Sequence, residues 1–399
     1  MISYEAGKEA GSGSSSMRVC YFGIYSTGAV YPRNNNIIRG LRQAGVIVDE
    51  CRVELTESFA DRAAVAQSQL RMLGFGLRLL QSYLRLARRL LSLPRPDLFV
   101  VGHPGYFHLH FLRLCTRLVH RRVPIVYDVF IPLHDALVSD RGILQPHRLT
   151  ARLIHALEKS VCLRADLVLI DTAEHTRYLR QEFGVPEEKL GVVFIGSSDI
   201  LFPQASTRPA APPFRVLWFG TYIPLHGLDT IVAAAKLLED DPEIRLELVG
   251  QGQLEGQIKA LAKELQVKNL VFQGWVPVEA MHEPIAAAQL VLGIFGRTAK
   301  TLRVIPTKAF DTAAVGRALL TGDTPAMREA YTHGEDVYLV PVADPQALAR
   351  AIRELKGNPE LLERLARSHR RLYQERFQPA ALGRQFLAVV RKRFPGLAV

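Results

Sequence analysis

Short apolar runs alternate with longer amphipathic stretches along this 399-residue chain. Val216-Leu217-Trp218-Phe219 is continuous rather than alternating, the pattern of a strand buried on both faces. Gly220 ends the run, and Leu228, Ile231, Val232, Ala235 and Leu238 then recur at helical spacing, so the next element is a helix with one face on the sheet. Similar runs predict strands over 17–22, 46–55, 97–102, 123–130, 165–171 and 191–196, then over 215–219, 245–249, 270–273, 290–295, 317–321 and 337–340. Helical periodicity predicts helices over 254–265, 278–287, 307–315, 347–355, 361–377 and 379–394. Strands alternating with helices pair in parallel, which predicts an α/β chain of two doubly wound halves.

The alternation breaks over 198–213, where Pro203, Pro209, Pro212 and Pro213 fall with little periodicity. This stretch reads as a linker. The expected organisation is a polar, Gly/Ser-rich disordered tail over 1–16, a first domain over 17–197, the linker, and a second domain over 214–377. A last helix over 378–399 is expected to pack back toward the first domain.

Composition adds a charge asymmetry. The chain carries a net charge of +11. Eleven arginines between Arg62 and Arg122 face only Asp97, so most of the excess lies in one segment. Within it Arg71, Arg78 and Arg85 recur every seven residues among leucines, an amphipathic basic helix suited to an anionic membrane surface; a core-packed helix with a solvated basic face is the alternative. The four cysteines lack pairing or metal-ligand spacing and read as idle thiols of a reducing compartment. No secretory or membrane-spanning stretch is visible. A cytoplasmic protein is expected, peripheral on the inner face of the plasma membrane.

Candidate chemistry lies after strand ends, which a parallel sheet gathers on one rim. In the second half, Thr221, His226 and Gly227 lead into a helix whose first N–H groups suit a phosphate. Gly250 and Gly252 leave room for a ligand near the backbone. Residues 296–311 place Arg297, Lys300, Arg303 and Lys308 before and within a helix that Pro306 starts. Cations leading into a helix N-terminus suit a diphosphate, and Asp311, one turn past Thr307 and Lys308, suits a ribose; a solvated loop with a Lys308–Asp311 surface pair is the ordinary alternative. In the first half, Ser26, Thr27, His103, Asp128, His134, Asp135, Asp140, Arg141, Asp171, Thr172 and His175 fall on the corresponding rim as an acceptor side. His134 and Asp135 suit orienting or deprotonating a hydroxyl. No group has metal-ligand spacing, so no metal and no cofactor are expected.

The segments FGTYIPLHGLDTI, LVGQGQ, LVFQGWV, LGIFGRTAKTLRVIPTKAF and AVGRALLTGDTPAMRE, in this order, resemble the retaining glycosyltransferases of the GT-B fold, family 4, over about residues 17–394. The resemblance implies two Rossmann-like domains facing a cleft, with a nucleotide-sugar donor held mainly by the C-terminal half without a metal. Gly220 and residues 221–227 would meet the diphosphate, Gly250 and Gly252 the donor pocket, and Trp275 and Val276 the base. Many members carry an arginine and a lysine where this chain has Thr221 and His226. The usual glutamate pair is replaced by Arg303 and Asp311, and Lys300, Arg303 and Lys308 would supply the missing positive charge. The implied activity is transfer of a sugar to an acceptor hydroxyl with retention. The basic segment favours a lipid-linked or membrane-proximal acceptor in polysaccharide or glycolipid synthesis. Lys308 and Asp311 would be catalytic. Two other readings stay open on the residues alone: a non-catalytic membrane-surface or nucleic-acid-binding protein using the arginine segment, and a sugar-nucleotide epimerase. Binding to a specific nucleic acid is not expected.

Overall fold

The computed structural model describes residues 17–25, 32–53, 69–118, 123–205 and 212–397. These form two parallel six-stranded sheets. The first has the order β2-β1-β3-β4-β5-β6, from β1 (Arg18–Ile24), β2 (Ile47–Val53), β3 (Leu98–Val101), β4 (Ile125–Asp128), β5 (Leu167–Ile170) and β6 (Leu190–Val192). The second has the order β12-β11-β10-β7-β8-β9, from β7 (Phe214–Thr221), β8 (Ile244–Gln251), β9 (Leu270–Gln273), β10 (Leu290–Leu292), β11 (Ala318–Gly322) and β12 (Tyr338–Val340). This is the GT-B architecture. Val216, Leu217, Trp218 and Phe219 are all buried, as a strand covered on both faces requires. β7 and β8 run in register from Phe214↔Ile244 to Thr221↔Gln251, which sets Gly220 beside Gly250. The strand order reverses between β7 and β10, so a crevice opens there at the carboxyl ends.

Three predicted elements differ. The 290–295 strand pairs only over Leu290–Leu292. The 278–287 helix is a 3₁₀ turn, Val278–Ala280, followed by a helix over His282–Ala287, because Pro284 fits only the first turn of that helix. The 361–377 helix starts earlier, over Pro359–Leu372, and widens into a π turn over Tyr373–Phe377. The first part of the 198–213 stretch is also not a loose tether. Ser197, Ser198 and Phe202 are buried, and the Ala205 N–H donates to the Val315 carbonyl at 3.1 Å.

Helix α1 (Pro32–Gln43) packs one face of the first sheet. Helices α2 (Gln69–Ser92), α3 (His108–Leu118), α4 (Leu149–Arg164) and α5 (Ala173–Phe183) cover the other face through Leu86, Leu109, Val161 and Leu179. The helix over Pro379–Arg393, here α13, crosses back and lies on α1. Two glycines make that crossing close: a Cβ on Gly40 or on Gly383 would run into the other helix's backbone. One apolar cluster passes through both lobes by way of Phe194, Ile195, Phe202, Phe310, Phe377 and Leu382.

Candidate active site

The two rims meet at a hollow of about 340 Å³. From the second lobe it is lined by Gly220 and Thr221 at the end of β7 and His226 after it, Gly250 at the end of β8, Trp275 and Val276 after β9, and Lys300, Thr307, Lys308 and Asp311 after β10. From the first lobe it is lined by Phe130, Ile131, Asp140 and Arg141 after β4 and by Asp171 and His175 after β5.

Lys308 sits in the first turn of a nine-residue helix over Thr307–Val315, here α9. Pro306 precedes it with extended φ/ψ, and no side chain caps its open N–H groups. Lys308 is buried. Its Nζ lies 4.0 Å from the Trp218 ring centroid and 3.4 Å from the Gly293 carbonyl. Among the described residues no carboxylate pairs with it, and burial pushes its amine well below the usual lysine range. Asp311, a turn on, is also buried; it accepts from Ser197 Oγ at 2.5 Å, and burial raises its carboxyl to about 7. The two residues therefore make no solvated surface pair. The helix presents a desolvated amine, open N–H groups and a carboxyl to one hollow, which suits a phosphate beside a hydroxyl-bearing group.

Several expected roles are corrected. His226 lines the hollow but brings no positive charge to it. Its Nδ1–H donates to the Thr221 carbonyl at 2.6 Å, and burial with the nearby Lys308 holds the ring neutral, well below the usual range. Arg303 is not free to meet a phosphate, because it donates to Asp135 across the cleft at 2.6 Å and stacks on Tyr178. Asp135 is consequently no hydroxyl base. Its carboxylate is fully buried, with Lys300 Nζ at 3.9 Å as a second cation, and neither it nor His134 lines the hollow. Asp128 lies below the rim with both oxygens held by Arg33 Nε. His103 Nδ1 meets the Val129 carbonyl at 3.0 Å, and burial lowers it to about 4. Gly227 and Gly252 serve backbone packing instead of ligand access. Gly227 has φ +64° and abuts Phe295 and Gly296, and Gly252 abuts the Tyr222 backbone. Ser26 and Thr27 lie outside the described residues.

The sequence reading missed Ser197, which carries the hydrogen bond to Asp311, and Trp218, which underlies Lys308. A polar Ser197-Ser198 pair directly after Gly196 was the available signal for the first. Other contacts close the lobes: Thr172 Oγ1 donates to the Arg303 carbonyl at 2.6 Å, and the N–H groups of Ala173 and Glu174 donate to the Glu329 carboxylate at 2.7 and 2.8 Å.

Comparison with known proteins agrees with this architecture. Residues 213–358 match the family described as glycosyl transferases group 1, and residues 34–196 match glycosyltransferase family 4. The chain belongs to these GT-B glycosyltransferase families. It is 29% identical over 241 residues to a D-inositol 3-phosphate glycosyltransferase of Thermomonospora curvata, a match covering 52% of this chain and 53% of that one. The chain spans about half the length of the curated relatives it matches. Among solved structures, Anabaena HepE in complex with UDP-glucose superposes with a TM-score of 0.62 at 15% identity, covering 94% of this chain and 99% of that one. Sucrose-phosphate synthase from Thermosynechococcus elongatus gives 0.66 at 17% identity, covering 96% and 100%.

Proposed function

We propose that the protein transfers a sugar from a nucleoside diphosphate sugar to an acceptor hydroxyl, with retention at the anomeric carbon. The observation that carries this reading is Lys308: a buried amine with no carboxylate partner among the described residues, at the uncapped start of α9, its Nζ next to the Gly220 backbone at the wall of the hollow. In the displacement, the bond from the sugar's C1 to the phosphate oxygen breaks and a bond from C1 to the acceptor oxygen forms on the same face. The acceptor proton passes to the departing phosphate. Lys308 and the α9 N–H groups stabilise the charge that grows there, so no divalent ion is required. Asp311 holds the ribose and Trp275, half exposed at the rim, borders the base. UDP is the nucleotide to test first, since HepE carries UDP-glucose. Titration calorimetry with UDP, UDP-glucose, GDP-mannose and ADP-glucose tests the reading; binding of none of them overturns it.

The acceptor is lipid-linked or membrane-proximal. Among the described residues no helix is long and apolar enough to cross a membrane. Helix α2 instead has two apolar stripes. Leu79, Tyr83, Leu86 and Leu90 face the core. Leu77, Leu80, Leu84 and Leu91 are 54–65% exposed, at spacings of three, four and seven. Arg78, Arg85 and Arg88 are exposed among them. A solvated basic face alone does not account for the second stripe, and an anionic bilayer satisfies both its charge and its leucines. Each arginine near such a surface contributes about 1 kcal/mol.

A further inference from the structure

We infer that His175, set by Asp171, orients the acceptor by accepting at Nε2 an O–H whose proton is not transferred. The inference rests on the glycosyl-transfer reading and names the acceptor as a polyol or sugar with adjacent hydroxyls. The observations are local to the start of α5. Thr172 caps this helix, its Oγ1 accepting from the His175 N–H at 3.1 Å, which fixes the residue in the first turn. His175 Nδ1 lies 2.6 Å from Asp171 Oδ1. A carboxylate accepts, so Nδ1 donates its proton, and in the neutral imidazole Nε2 is the acceptor. His175 is 1% exposed and Asp171 3% exposed, and both line the hollow from the first lobe, opposite Lys308 and Asp311. Nε2 is itself buried and has no hydrogen-bond partner in the protein. Buried polar atoms are normally satisfied. Here the main-chain N–H and Nδ1 of His175 both have partners, and Nε2 is left without one in a residue that lines the hollow. That is an acceptor waiting for a ligand hydroxyl.

The proton balance selects which hydroxyl. The attacking O–H delivers its proton to the leaving phosphate, so it has none for His175. A second O–H is needed: a neighbouring hydroxyl of the acceptor or, in hydrolysis, the second hydrogen of water. His175 and Asp171 are positioning residues, and neither changes protonation in the step.

The test needs no natural acceptor. Full-length wild type, Asp171→Asn and His175→Ala are compared for UDP binding by calorimetry, for hydrolysis of UDP-glucose and for melting temperature. In Asp171→Asn the new side-chain amide donates to Nδ1, moves the imidazole proton to Nε2 and removes the acceptor while keeping the shape. The expected result is UDP affinity unchanged within about twofold and hydrolysis lowered about tenfold or more in both variants, the loss of one transition-state hydrogen bond. Hydrolysis by Asp171→Asn at the wild-type rate overturns the inference, as does a loss of hydrolysis matched by an equal loss of UDP affinity. A wild type that binds none of UDP, UDP-glucose, GDP-mannose and ADP-glucose defeats the donor reading itself, and is recognised before either variant is made; where another nucleotide binds in place of UDP, that nucleotide and its sugar are used in all three measurements.

Discussion

Lys308 Nζ stands 4.0 Å from the centroid of the Trp218 indole. The ring face and the Gly293 carbonyl, 3.4 Å away, are the negative potential that the fold offers this amine, and they are a weak substitute for an anion in so dry a place. Burial favours the neutral amine, whereas a bound diphosphate favours the ammonium. Binding should therefore take up a proton. Calorimetric titration of UDP in buffers of different ionisation enthalpy measures that uptake, and Lys308→Met should abolish it.

The same substitution separates stability from function. Methionine fills the site without a buried amine, so the free protein should melt higher than wild type. Sugar transfer should fall about a hundredfold or more, as for loss of one charge-stabilising donor. A thermal scan beside a turnover assay shows both changes.

Asp311 gives a pH signature. Its carboxyl is raised to about 7 in the fold, whereas an unfolded aspartate titrates near about 4. The folded state binds this proton more tightly, so the group's contribution to stability is greatest below the unfolded value. It declines as pH rises toward 7 and stays low above it. Asp311→Asn keeps an acceptor for Ser197 Oγ and removes the ionisation. Its melting temperature should exceed wild type by about 2–4 °C at pH 8, and by less at pH 5.

Asp135 and Arg303 pair across the cleft at 2.6 Å. Asp135→Ala leaves a largely buried guanidinium without its carboxylate, at a cost of about 3 kcal/mol. The closed arrangement should weaken with it. Small-angle scattering should show a larger radius of gyration, and chemical denaturation a lower midpoint.

The exposed stripe of α2 predicts a membrane phenotype independent of the cleft. Replacing Leu77, Leu80 and Leu84 by glutamine should remove flotation with phosphatidylglycerol vesicles while UDP binding is retained. Flotation should also weaken as salt rises, because the arginine attraction is screened over about 10 Å at 0.1 M.

The fold was legible because buried parallel strands have a strong local signature. α9 was bounded to the residue, since Pro306 opens it and Gly316, at φ +81°, closes it. The site was legible only where one short segment carries it, as with Lys308 and Asp311. Asp135 and Arg303 are 168 positions apart, and nothing local announces that each neutralises the other. Asp128 was misread for the same reason: Arg33, which fills both its oxygens, comes from α1. Gly227 and Gly252 look in sequence like room for a ligand, but the room is taken by neighbouring backbone.

The seating of α13 on α1 constrains how the two lobes can move. The chain passes between lobes twice, once before β7 and again between Phe377 and Pro379, and the Gly40–Gly383 crossing anchors the return. Two neighbouring strands of backbone act together as the spine of a book. Once the polar contacts between the lobes are released, they should let the covers swing about one line and resist sliding or twisting past each other. Opening of the hollow should thus follow a single angular coordinate, and the pages should meet again in the same alignment.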